Sequence, residues 1–164
     1  MVLPACLLLA ACTQPLWLGE RWDDAPTETA CAWMWVSQPL PEQTAALMSA
    51  LLAAGITDAS VSAEHFGENC IDSATMAVRY FAPMSTRYTI MIGGMDAEAL
   101  GDRLFEVFAV LEPFLAVEPP LEPIVIDFMM NSLPLTLPVE RVRAILANEV
   151  RGAALIDMLR KERE

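Results

Sequence analysis

The sequence holds one histidine, His65, which stands among carboxylates in the run Ala63-Glu64-His65-Phe66-Gly67-Glu68-Asn69. A histidine beside an acid is the pairing that a general base and its orienting group would use. Glu64 and Glu68 could in turn divide acid and base roles between two carboxylates. If the run is a strand, however, successive side chains point to opposite faces, so Glu64 and His65 cannot pair. Glu64 and Glu68 then share a face, too far apart for a tight dyad unless Gly67 bends the chain. The ordinary reading of His65 is a hydrogen-bonded or exposed strand-end residue, and no catalytic residue is assigned. The alternative is a small exported enzyme that works through Glu64, His65 and Glu68.

Metal chemistry has little to build on. Cys31, Cys70 and His65 could supply three zinc ligands, but their scattered spacing is not a zinc signature. Ten methionines, among them Met34, Met91, Met95, Met129 and Met130, suggest soft thioether ligands for copper(I). Methionine also fills gaps in ordinary cores, which is the reading adopted; a Met-rich copper(I) binder is the remote alternative. The chain lacks C-x-x-C, H-E-x-x-H, G-x-S-x-G, a phosphate-binding loop and G-x-G-x-x-G. Gly93-Gly94 reads as a turn. No metal and no cofactor is expected.

The chain has 164 residues, 55% of them hydrophobic, enough for a core of ordinary size. Its 22 acidic and 10 basic side chains give a net charge of −12, the wrong sign for a nucleic-acid partner. The imbalance is concentrated before Val139, with 4 basic against 17 acidic side chains, whereas the tail from Val139 carries 6 against 5. The basic end of that tail complements a helix C-terminus.

Met1 to Ala11 reads MVLPACLLLAA, too short to span a bilayer, which needs roughly 20 apolar residues. It ends in Leu9-Ala10-Ala11-Cys12, which resembles the lipobox of bacterial lipoproteins residue for residue. That resemblance implies cleavage before Cys12, diacylglycerol on the Cys12 sulfur and an acyl chain on the new amino group. Two such chains suffice for stable anchoring. It further implies a location on the extracytoplasmic face of a bacterial membrane, with an envelope protein as a possible partner. A secretory leader opens with Lys or Arg, and Met1 to Ala11 has neither, so translation is expected to start upstream. The stretch from about Ser60 to Leu104, with VSAEHFGENC and DAEALGDRL, is similar to uncharacterised small bacterial lipoproteins.

The resemblance also sorts the four cysteines. Cys6 leaves with the leader and Cys12 carries lipid, so Cys31 and Cys70 remain as one pair in an oxidising compartment, where a disulfide is the default. Residues 12–30, polar, acidic and interrupted by Pro15 and Pro26, read as a tether from the anchor. Trp17 and Trp22 within it could rest at the lipid interface or pack on the folded body.

The folded body is expected over 31–164 as a single domain. CAWMWV, residues 31–36, reads as a short strand with Trp33 and Trp35 on one face. Pro39 and Pro41 open a helix carrying Leu47, Leu51 and Ala54, stopped at Gly55. A strand runs from about Thr57 to Gly67. Met76-Val78-Tyr80-Ala82 and Tyr88-Ile90-Ile92 read as a hairpin turning over Pro83 to Thr86. Asp96 caps a second helix with a stripe of Leu100, Leu104, Val107, Phe108 and Leu111, and Pro113 ends it. IVIDFM and LPLTL flank Asn131-Ser132 as a second hairpin, whose last strand Pro134 confines to an edge. The tail from Val139 is helical and breaks near Gly152. The order helix, three strands, helix, two strands, helix makes an α+β domain. One antiparallel or mixed sheet carries its helices mainly on one face. The body so predicted is a non-catalytic binding domain, ligand unidentified.

Overall fold

Alternation in the long apolar segments builds a five-stranded sheet in the computed structural model, which describes residues 31–128 and 134–161. The strands are β1 (Cys31–Pro39), β2 (Ala59–Asp72), β3 (Val78–Ile92), β4 (Ile124–Phe128) and β5 (Leu135–Leu137). They lie side by side in chain order. Pairing is antiparallel throughout except between β3 and β4, which run parallel, so the sheet is mixed. The helices are α1 (Pro41–Ala53), α2 (Ala97–Leu111), α3 (Val139–Ala147) and α4 (Gly152–Lys161). A parallel pair needs a crossover, and α2 provides it. The class is α+β, and the expected element order is followed in outline: the strand read at residues 31–36 precedes the first helix as β1, and two long strands rather than three lie between α1 and α2.

One sheet face is the core. Val61, Tyr88, Ile90, Ile92, Ile124, Ile126 and Leu137 point to it and are buried. Leu47 and Leu51 of α1 and Leu104, Val107, Phe108 and Leu111 of α2 close over them, all fully buried, as their helical spacing requires. Each such side chain stabilises the fold by roughly 1.5–3 kcal/mol relative to exposure. Asp96 caps α2, its carboxylate accepting the Ala99 N–H at 2.9 Å. β5 is the far edge of the sheet, where Pro134 precedes it.

The predicted hairpin over Pro83 to Thr86 is not formed. Residues 78–92 are one continuous strand, and the true turn is Ser73 to Ala77, between β2 and β3. Proline, which lacks an N–H, ordinarily interrupts a strand. Here Pro83 sits opposite Gly67 at a shift in register, while β4 joins β3 only from Thr89 to Ile92. A missing donor at such a bulge costs no ladder bond. A Cβ on Gly67 would run into the Ala82 carbonyl and the Phe81 ring, so glycine is what lets the strands close there. β2 likewise continues past Gly67 to Asp72.

The methionines depart from the core reading. Met34, Met76, Met84 and Met91 are exposed. Only Met48 and Met158 pack against the core among the described residues. The leader, Cys6, Cys12, the tether with Trp17 and Trp22, and the Asn131-Ser132 turn lie outside the described residues. Among those described, no helix is long and apolar enough to cross a membrane.

Candidate functional site

The second face of the sheet, at its β1–β3 end, is where the polar and aromatic residues of these strands collect. Trp33, Trp35 and Ser37 of β1 stand opposite Cys70, Glu68 and Phe66 of β2. These in turn stand opposite Tyr80, Ala82 and Ser85 of β3. Cross-strand partners share a face, so alternation delivers all of them to one surface. Trp33, Trp35 and Tyr80 are 49%, 54% and 51% exposed, unusual for rings of this size.

These rings are ordered by mutual contact. Trp35 stacks on Phe66 with centroids 5.2 Å apart and planes 11° from parallel. The Arg87 guanidinium lies 5.1 Å from the Phe66 centroid, a cation–π contact at the next row of the sheet. Trp33 meets Tyr80 edge to face at 5.6 Å, reaching over Cys70. Cys70 is bonded to Cys31, with Cα atoms 5.0 Å apart, which staples β1 to β2 beneath the rings. That disulfide is the one expected from the cysteine arithmetic.

Charge on this face is largely neutralised in pairs. Arg87 donates to Glu122 at 2.6–2.8 Å and to Glu64 at 3.3 Å, and Ser85 Oγ donates to Glu122 at 2.6 Å. At the far end Arg79 donates to Asp72. The backbone N–H groups of Ala74 and Thr75, followed by Arg79, hold the Asp72 carboxyl down to about 2. Glu68, midway along β2, makes no hydrogen bond or ion pair among the described residues.

His65 points to the other face. Its Nδ1 lies 3.3 Å from the hydroxyl of buried Thr86, which gives its own proton to the Pro119 carbonyl at 3.0 Å. Nδ1 is therefore the donor in that contact. The structure thus places Glu64 and Glu68 on one face, four strand positions apart with Phe66 between them, and sends His65 to the opposite face. Cys31 and Cys70 are consumed by their mutual bond, and among the described residues no three His, Cys, Asp or Glu side chains gather as a metal site. A separate concavity of about 330 Å³ lies between the Gly93-Gly94 turn and α4, walled by Leu100, Phe128, Leu135 and Leu159 with Arg160 at its rim.

Sequence reasoning placed Trp33 and Trp35 on one face but missed the stack they belong to. The signal was present: Glu64, Phe66, Glu68, Cys70 and Asp72 alternate along β2 in phase with the tryptophans, aromatic or charged at all but Cys70. It was obscured by the false turn at Pro83, which removed Tyr80 from its true partner Cys70. The chain matches no family model, no curated protein and no solved structure.

Proposed function

We propose that this chain is an envelope lipoprotein, anchored through Cys12, whose folded body is a non-catalytic binding domain held off the membrane by residues 12–30. The observation that carries the binding reading is the exposed patch of Trp33, Trp35 and Tyr80 on the open sheet face, with Trp35 stacked on half-buried Phe66 and Trp33 edge to face with Tyr80. Exposed rings in one contiguous patch mark recognition surfaces more often than idle ones. Rings fixed by stacking and by a disulfide beneath them lose little freedom on binding. The alternative enzyme needs Glu64, Glu68 and His65 in one place, and the strand sends His65 to the opposite side. The disulfide agrees with export to an oxidising compartment.

The anchor is tested by fractionating bacteria that express the gene from its own start, as wild type and as Cys12→Ser. Wild type should sediment with membranes and yield an N-terminal peptide beginning at lipid-modified Cys12. The variant should move to the soluble fraction. Intact Met1 on soluble cytoplasmic protein would overturn the localisation.

A further inference from the structure

We propose that Glu68 and the rings around it form a receptor for a cationic side chain, and that the domain's partner is a basic, arginine- or lysine-bearing segment of another protein. The inference rests on the binding reading above and deepens it. In the sheet register Glu68 lies directly between Trp35 and Ala82, with Phe66 and Cys70 next along its own strand face. Trp33 and Tyr80 flank Cys70. The carboxylate therefore stands among four rings, and the methyl of Ala82 is its small neighbour. On β2, Glu64 and Asp72 each have an arginine, whereas Glu68 has no charged partner among the described residues.

The chain displays the recognition chemistry on itself. Phe66 carries the Arg87 guanidinium over its ring, held by Glu64 and Glu122. Phe66 also stacks on Trp35, which stands opposite Glu68 in the register. A second guanidinium or ammonium set over Trp35 would meet a ring face and a carboxylate together, repeating the Arg87 arrangement one step along the sheet. Overall charge selects among partners. At −12 the protein attracts cationic segments and repels anionic headgroups and nucleic acid. A second copy would bring one Glu68 face against another of the same sign.

The test uses the full-length lipoprotein in a maltoside detergent and a synthetic peptide alternating arginine with glycine, against the same peptide with citrulline, which keeps shape but not charge. Calorimetry should show the arginine peptide binding and the citrulline peptide binding at least about tenfold more weakly, with affinity falling as salt is raised. Glu68→Gln should weaken the arginine peptide about fivefold or more, and Trp35→Ala about tenfold, while Trp35→Phe stays within about twofold of wild type. Near-ultraviolet circular dichroism verifies that Glu68→Gln, an isosteric surface change, keeps the fold. Equal binding of both peptides would overturn the cationic receptor and leave an apolar docking face standing. So would no binding up to millimolar peptide, or an unchanged affinity in Glu68→Gln. Self-association that Trp35→Ala abolishes, or binding to phosphatidylcholine vesicles by the Cys12→Ser protein, with no peptide binding, would assign the face to that occupant and overturn the proposal. Loss of membrane anchoring would strike the lipoprotein reading alone.

Discussion

The carboxylate of Glu98, in the first turn of α2, accepts the backbone N–H of Ala153 at 2.9 Å, so one helix caps the start of another. The first N–H groups of a helix have no partner within it, and a carboxylate there satisfies a donor and complements the dipole. Close approach makes the bond possible. A Cβ on Gly101 would collide with the Gly152 backbone, and a Cβ on Gly152 would collide with Glu98 itself. Glu98→Ala should destabilise the domain by about 1 kcal/mol, as loss of a helix cap does. Gly101→Ala should destabilise it by about 2 kcal/mol or more, since α4 must shift away from α2. Urea denaturation of both variants checks the ranking, which reverses if the two helices do not depend on this contact.

The Cys31–Cys70 bond closes a loop across a sequence separation of 39 residues. In the chain-entropy account, a loop of that size stabilises by about 3–4 kcal/mol through the unfolded state. Reduction, or Cys70→Ser, should lower the urea midpoint correspondingly, with the β1–β2 ladder still formed. Peptide mapping without reductant should recover the two cysteines in one linked species. Two free thiols in exported protein would refute the pairing.

The sequence made the core legible because it is written in periodicity. Leu104, Val107, Phe108 and Leu111 announce a helix face, and Tyr88, Ile90 and Ile92 a strand face, and both are buried as expected. Where reading failed, a local rule was overridden by pairing. Pro83 breaks a strand that needs its N–H, but opposite Gly67 at a bulge no N–H is needed. That single misplacement hid the long β2–β3 pair and the surface it carries. Residue type alone suggests a core for Met34 and Met91, but they are exposed, because they belong to a sheet whose ends and outer face are open. The pairing of Arg87 with Glu64 and Glu122 depends on residues brought together from three separate segments, which no local spacing reveals.

Asp72 gives the fold an acid-sensitive turn. Its Oδ1 accepts the N–H groups of Ala74 and Thr75 at 2.9 and 3.0 Å, and its Oδ2 accepts from Arg79. These bonds favour the charged form and hold the carboxyl at about 2, below its ordinary 3.8. The unfolded chain takes up the proton first as pH falls. The stabilisation is therefore complete above the ordinary value and is lost as pH drops from about 4 towards about 2. Asp72→Asn should flatten this part of the stability–pH curve, measured by urea midpoints. An unchanged slope in that window would show that other carboxylates govern acid unfolding.

Tyr88 gives the opposite, alkaline, dependence. Its ring is fully buried, and its hydroxyl accepts from Gln43 Nε2 at 2.5 Å and donates to the Phe114 carbonyl at 3.0 Å. Burial pushes the phenol above its ordinary 10, against the smaller opposing effect of the Gln43 bond. A folded phenol that holds its proton while the unfolded one loses it stabilises the fold fully below the ordinary value. That stabilisation is lost as pH rises through the raised one. Tyr88→Phe keeps the ring but leaves Gln43 and the Phe114 carbonyl without this partner, at a cost of about 1 kcal/mol near neutrality. Its stability should then fall less steeply than wild type above about pH 10, so the two curves converge there. Parallel curves across that range would mean that the buried hydroxyl is not what couples this fold to alkali.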